Sequence, residues 1–127
     1  MTAFAAPLGR LLLSLIFILS GVSKLGDLAG TGAYMQGAGV TSMLALPAGL
    51  FELLAGLAIA VGFKTRPVAL LLSGFCLLTA ALFHSNLADQ MQMVLALKNV
   101  ALAGAFLLLF AQGAGPMSLD ARNGGTA

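Results

Sequence analysis

The chain has 127 residues, 60% of them hydrophobic and only 8% charged, with a net charge of +2. Soluble domains carry about 25% charged residues, so water is not this chain's main solvent, and its scattered basic residues leave no nucleic-acid-binding footprint. The lone cysteine, Cys76, excludes an intramolecular disulfide, a CxxC redox pair and a thiolate metal cluster.

The first apolar run covers about Pro7–Leu25, with Pro7 suited to a first helical turn. Arg10 followed by Leu11–Leu19 has the polarity of a signal peptide. No small-x-small cleavage site with a polar mature start follows, so the run is read as a retained first helix. Gly26–Met43 is too rich in Gly and Thr to span; a short surface helix around Ala33–Gln36 is expected there, with Tyr34 and Met35 at the interface. The second run extends from Leu44 to Gly62, and the tight loop Phe63-Lys64-Thr65-Arg66 leads into a third at Pro67–His84. After Ser85–Gln90 a fourth covers about Met91–Ala111, and the Gly-rich tail is expected to be loosely ordered after Arg122.

Each spanning helix takes roughly 20 apolar residues. Four of them with short connectors predict an all-α, polytopic membrane four-helix bundle, one domain over residues 1–127. The runs lack the alternation of a barrel strand. Small residues at helical spacing, Ala45 and Gly49, Gly56 and Ala60, Ala101 and Ala105, predict close helix approach. Arg10, Lys64, Arg66 and Arg122 fall on the side of the termini, opposite Asp27 and Asp89. The positive-inside rule then predicts both termini in the cytoplasm.

Ionisable residues inside such runs are costly and are functional candidates by default. Glu52 lies about eight positions into the second span, on the order of 12 Å deep at 1.5 Å per residue. Lys98 and Asn99 lie at similar depth in the fourth, so a Glu52–Lys98 pair is expected, with the Asn99 amide beside it. Lys24 and His84 end the first and third spans on that same side; the plain alternatives are snorkelling for Lys24 and a helix cap for His84. Arg10 returns to within about 40° of the Lys24 face at 100° per residue, against the plain alternative of snorkelling at its own end. A structural ion pair competes with proton transfer as the role of Glu52, and Cys76 reads as a small buried hydrophobe. One histidine excludes a bis-His haem, and no metal-ligand spacing, phosphate-binding glycine loop or nucleophile triad is present.

Taken in order, Arg10, Ser20-Gly21-Val22-Ser23-Lys24-Leu25, Thr31–Met35 with Tyr34, Glu52, Gly62-Phe63-Lys64-Thr65-Arg66, Phe83-His84, Lys98-Asn99 with Ala103-Gly104, and Gly115-Pro116-Met117-Ser118-Leu119-Asp120 resemble the DoxX family of small bacterial membrane proteins. The tail departs from the Gly-Pro-Gly common in the family, and the third loop carries a lone His84 where some members have an extra aromatic or a second His. The resemblance implies a four-helix inner-membrane protein, and some members resemble subunits of thiosulfate:quinone oxidoreductase. The function expected from it, together with the polar cluster, is a membrane subunit of a quinone-linked oxidoreductase system. Glu52 and His84 are the catalytic candidates, and Arg10, Lys24, Lys98 and Asn99 the ligand-binding ones. No metal or covalently bound cofactor is expected. The expected partners are the lipid bilayer, a membrane quinone, and a redox protein or a second copy of the chain, with no nucleic acid. The alternative is a non-catalytic scaffold or small-molecule carrier whose polar residues form a buried ion-pair network; a proton-coupled transporter is a third reading and would require dimerisation.

Overall fold

A computed structural model describes residues 2–124. Six α-helices follow a short 3-10 turn: α1 (Ala5–Gly26), α2 (Leu28–Gly37), α3 (Ala45–Val61), α4 (Thr65–Phe83), α5 (Gln90–Gln112) and α6 (Leu119–Arg122). Helices α1, α4 and α5, and α3 with the 3-10 turn that precedes it, are long and apolar enough to cross a membrane.

The bundle is built inside out relative to a soluble protein. Leu8, Leu12, Leu15 and Leu19 form an exposed ridge on α1, and Leu50, Leu54 and Leu57 a similar one on α3. The buried set, by contrast, includes Arg10, Ser14, Glu52, Thr65, Ser73 and Asn99. Lipid offers no hydrogen bonds, so polar side chains turn inward and leucines face outward.

Two antiparallel pairs make the bundle, α1 against α3 and α4 against α5. Glycine sets the first contact: a Cβ on Gly21 would stand 2.7 Å from the Leu53 backbone nitrogen and 2.9 Å from the Gly49 carbonyl oxygen. Gly56 lets Ile18 approach in the same way. In the second pair the close approach comes from Ala103, which is buried, while Ala101 is exposed. Of the expected Ala101/Ala105 pair, Ala101 thus faces outward, while Ala105 is half-buried. Ser73 Oγ donates to the Ala103 carbonyl at 3.0 Å across that contact.

The pairs are joined by aromatic contacts. Phe17 of α1 meets Phe106 of α5 edge-on at 5.5 Å, and Phe51 of α3 meets Phe75 of α4 at 5.1 Å. Phe17 and Phe106 belong to one buried cluster with Ile59, Leu72 and Cys76.

The two ends of the described chain meet at one end of the bundle. Gly62 ends α3 in the left-handed conformation (φ 71°), and Phe63 N–H closes onto the Ala58 carbonyl at 2.8 Å, as in a Schellman cap. A side chain on Gly62 would collide with Ser118. Lys64 precedes α4 without capping it through its own side chain. The cap comes from the tail instead: Asp120 accepts from Lys64 N–H at 2.8 Å and from Thr65 N–H at 2.9 Å. Burial pushes Asp120 up, but the N–H groups of Thr65 and Lys64, with the Lys64 charge, outweigh it and hold the carboxyl below its ordinary value. The Thr65 hydroxyl is buried beside this carboxylate without a well-directed hydrogen bond.

The connector after α1 folds into a longer helix than expected. Asp27 caps α2 by accepting from Gly30 N–H at 2.9 Å, and the helix covers ten residues rather than one turn. The tail up to Gly124 is described and makes the contacts above; residues 125–127, where loose order was also expected, lie outside the described residues.

Candidate functional site

At the end opposite the termini the two helix pairs diverge around a cavity of about 400 Å³. Lys24, Glu52, His84, Lys98 and Asn99 all line it, together with Ser20, Thr31, Tyr34 and Thr79. All four long helices contribute to the wall, and α2 lies across the top. The rest of the lining is largely aliphatic and aromatic, including Ile16, Phe17, Phe75 and Leu102.

Within this cavity the ion pair differs from the expected one. Glu52 Oε2 lies 2.8 Å from Lys24 Nζ, not from Lys98. The reason is directional as well as lateral. Side chains tilt toward their helix N-terminus, so Lys24, near the C-terminal end of α1, points back into the bundle. Glu52, on antiparallel α3, points the opposite way, and α1 and α3 are packed neighbours. Counting residues matched Glu52 and Lys98 in height but could not tell which helix stands beside α3.

Lys24 Nζ also donates to Ser20 Oγ at 2.7 Å. Among the described residues no directed hydrogen bond reaches Glu52 Oε2, so the contact with Lys24 is a charge pair rather than an aligned hydrogen bond. No carboxylate pairs with Lys98 among the described residues. Lys98 is exposed, whereas its neighbour Asn99 is buried. The Asn99 amide donates to Thr79 Oγ1 at 3.0 Å and to the Cys76 carbonyl at 3.2 Å. Its donors therefore tie α5 to α4 and do not reach the ion pair.

His84 follows the last turn of α4, and its backbone N–H closes onto the Ala80 carbonyl at 3.0 Å. Its ring Nδ1 is buried beside the Phe83 backbone without a well-directed hydrogen bond among the described residues. Tyr34, expected at the interface, stacks on Phe83 at 5.5 Å, and Met35 beside it is buried. Both line the cavity, a role that the composition of the connector did not reveal.

Arg10 is the ligand-binding candidate that the structure places elsewhere. It is only 2% exposed and lies at the termini end. Its guanidinium donates to the carbonyls of Ala60 at 3.1 Å, Pro116 at 3.1 Å and Met117 at 2.8 Å. Five donors in a planar fork suit this task. The matching residue on the tail, Asp120, was missed as a partner because its targets are backbone groups more than fifty positions away in sequence.

Chemically, the cavity offers a neutralised Lys–Glu pair, a second cation, an imidazole and an apolar wall. That set suits a largely apolar molecule carrying hydrogen-bond acceptors.

No solved structure shows a significant match. The chain is 43% identical over 111 residues to the inner membrane protein YqjF of Escherichia coli K12, covering 87% of this chain and 85% of the relative. It is 38% identical over 122 residues to the inner membrane protein YphA of the same organism, covering 91% and 87% of the two chains. A family model for DoxX matches residues 5–85, a segment that contains Arg10, Lys24, Glu52 and His84. The chain belongs to the DoxX family.

Proposed function

We propose that this protein is an inner-membrane subunit of a quinone-linked oxidoreductase system and that the cavity between its helix pairs holds the quinone ring. One observation carries the reading: an apolar cavity of about 400 Å³ receives polar groups from all four long helices. Binding pockets commonly range over about 300–1,000 Å³ with a few placed polar groups. In this reading Lys98 donates to one quinone carbonyl oxygen and the His84 ring to the other. Glu52 supplies and recovers protons, with Lys24 as its counter-charge. The two electrons come from a partner redox protein, and the two protons that complete the quinol are taken up through Glu52 and His84.

The inner-membrane location rests on the four apolar helices and on the two inner-membrane relatives. Both termini are assigned to the cytoplasm, because Arg10, Lys64, Arg66 and Arg122 gather at their end and Asp27 and Asp89 at the other. The cavity then belongs to the outer half of the membrane.

A second reading, a non-catalytic scaffold or carrier, is favoured by two contacts. Lys24 and Glu52 neutralise each other's charge, and the Asn99 amide is spent on α4.

Purification in mild detergent with mass spectrometry of bound quinone separates the two. The redox reading expects near-stoichiometric quinone that is depleted in Lys98→Met. Quinone-free wild-type protein carrying a constant protein partner overturns it in favour of the scaffold.

A further inference from the structure

We infer that the ligand enters and leaves sideways from the bilayer, through the seam between α1 and α5, and that it is a single-chain amphiphile whose tail lies in that seam. This rests on the reading of the cavity as a binding site.

The four long helices are not equally joined. The α1/α3 and α4/α5 faces are packed along their lengths, and α3 and α4 are held by a tight turn and by Phe51 on Phe75. Above that contact, α2 bridges to α4 through Tyr34 on Phe83. Among the described residues, α1 and α5 share one aromatic contact, and it lies deep. Phe17 and Phe106 touch at the floor of the cavity. Ile16, level with Phe17, and Ser20, a turn above it, face the cavity from α1, along with Leu95 and Lys98 of α5. Ile16 is 38% exposed although it lines the cavity, and Lys98 is exposed at the same seam. Leu44 before α3 and Leu78 and Leu82 of α4 are exposed lining residues too, but on that side the Phe51–Phe75 and Tyr34–Phe83 contacts bridge the helices. The wall is therefore open at Ile16 and Lys98, at a depth where the solvent is lipid.

The size of the cavity points the same way. At about 400 Å³ it lies near the lower end of the usual pocket range. It holds a ring-sized head but not a long alkyl or prenyl chain, which has to leave through an apolar opening. Lys98 at the seam is placed to meet the head group first. Its charge is not neutralised by a carboxylate among the described residues, so it selects heads with carbonyl or anionic oxygens.

The test follows exchange of a tritiated short-chain ubiquinone analogue on protein in lipid nanodiscs, by rapid filtration. Ile16→Trp narrows the seam without touching the polar groups, and Ile16→Ala widens it. A true entrance changes association and dissociation together. The Trp variant is expected to slow both by roughly tenfold, and the Ala variant to speed both, with Kd shifting less than about threefold. Leu54→Ala, on the exposed ridge of α3 outside the cavity, is expected to leave both rates within about twofold of wild type. Rates that ignore both Ile16 variants, or that shift as much in Leu54→Ala, overturn the seam while leaving the quinone site standing. Wild-type protein that binds no analogue overturns the functional reading itself, and the entrance with it.

Discussion

Lys24 Nζ stands 2.8 Å from Glu52 Oε2, joining α1 to α3 at the wall of the cavity. The Glu52 side chain is 5% exposed and that of Lys24 27%. Removing one partner of a buried pair leaves an uncompensated charge, at a cost on the order of 3 kcal/mol. Glu52→Gln is therefore expected to lower the thermal unfolding midpoint in detergent. Lys24→Met combined with Glu52→Gln should recover part of the loss, whereas Lys98→Met combined with Glu52→Gln should not. Equal rescue by both double variants would show that the pair does not control stability.

Arg10 is expected to be structural at the termini end. Arg10→Met leaves the carbonyls of Ala60, Pro116 and Met117 without their donor. Each buried acceptor left unsatisfied costs about 1–3 kcal/mol. Arg10→Lys should restore only part, because an ammonium lacks the planar fork. Yield and unfolding midpoint should fall in both variants. In the protein that does fold, affinity for a cavity ligand should stay at the wild-type value; weaker binding there would return Arg10 to the site.

Asp120 links the tail to the start of α4, so Asp120→Ala should expose the Lys64 and Thr65 amides. The loss of an N-cap costs about 1 kcal/mol, and faster amide hydrogen exchange at Lys64 and Thr65 is the direct readout. The pH dependence has a definite sign. Because the folded-state pKa is depressed below the ordinary 3.8, the contribution of Asp120 is complete above that value. It is lost as pH falls through the lower folded-state pKa. Wild-type amides at these positions should lose protection on acidification below about pH 4, whereas Asp120→Ala should show no such step.

Gly21→Ala should force α1 away from α3, since the added Cβ meets backbone atoms of Leu53 and Gly49 that cannot swing aside. Overpacking of this kind costs about 1–3 kcal/mol. Gly49→Ala meets side-chain atoms of Leu25 and Lys24 and should be milder. Gly74→Ala and Gly104→Ala meet nothing within 4 Å and should be neutral in the same unfolding assay.

The sequence by itself determined the number and rough bounds of the long helices, because a run of apolar residues without alternation has one stable conformation in lipid. It also singled out Lys24, Glu52, His84, Lys98 and Asn99, since polar groups are costly at such depth, and the structure brings all five to one cavity. Depth along an axis can be counted from residue numbers; which helix stands beside which cannot. Only the tertiary structure decided that Glu52 faces Lys24 across the α1/α3 contact, that Asn99 turns to α4, and that Arg10 holds the tail instead of lining the cavity. Those outcomes follow from lateral packing, set by close approach at Gly21 and Ala103, and from side chains on antiparallel helices tilting toward one another.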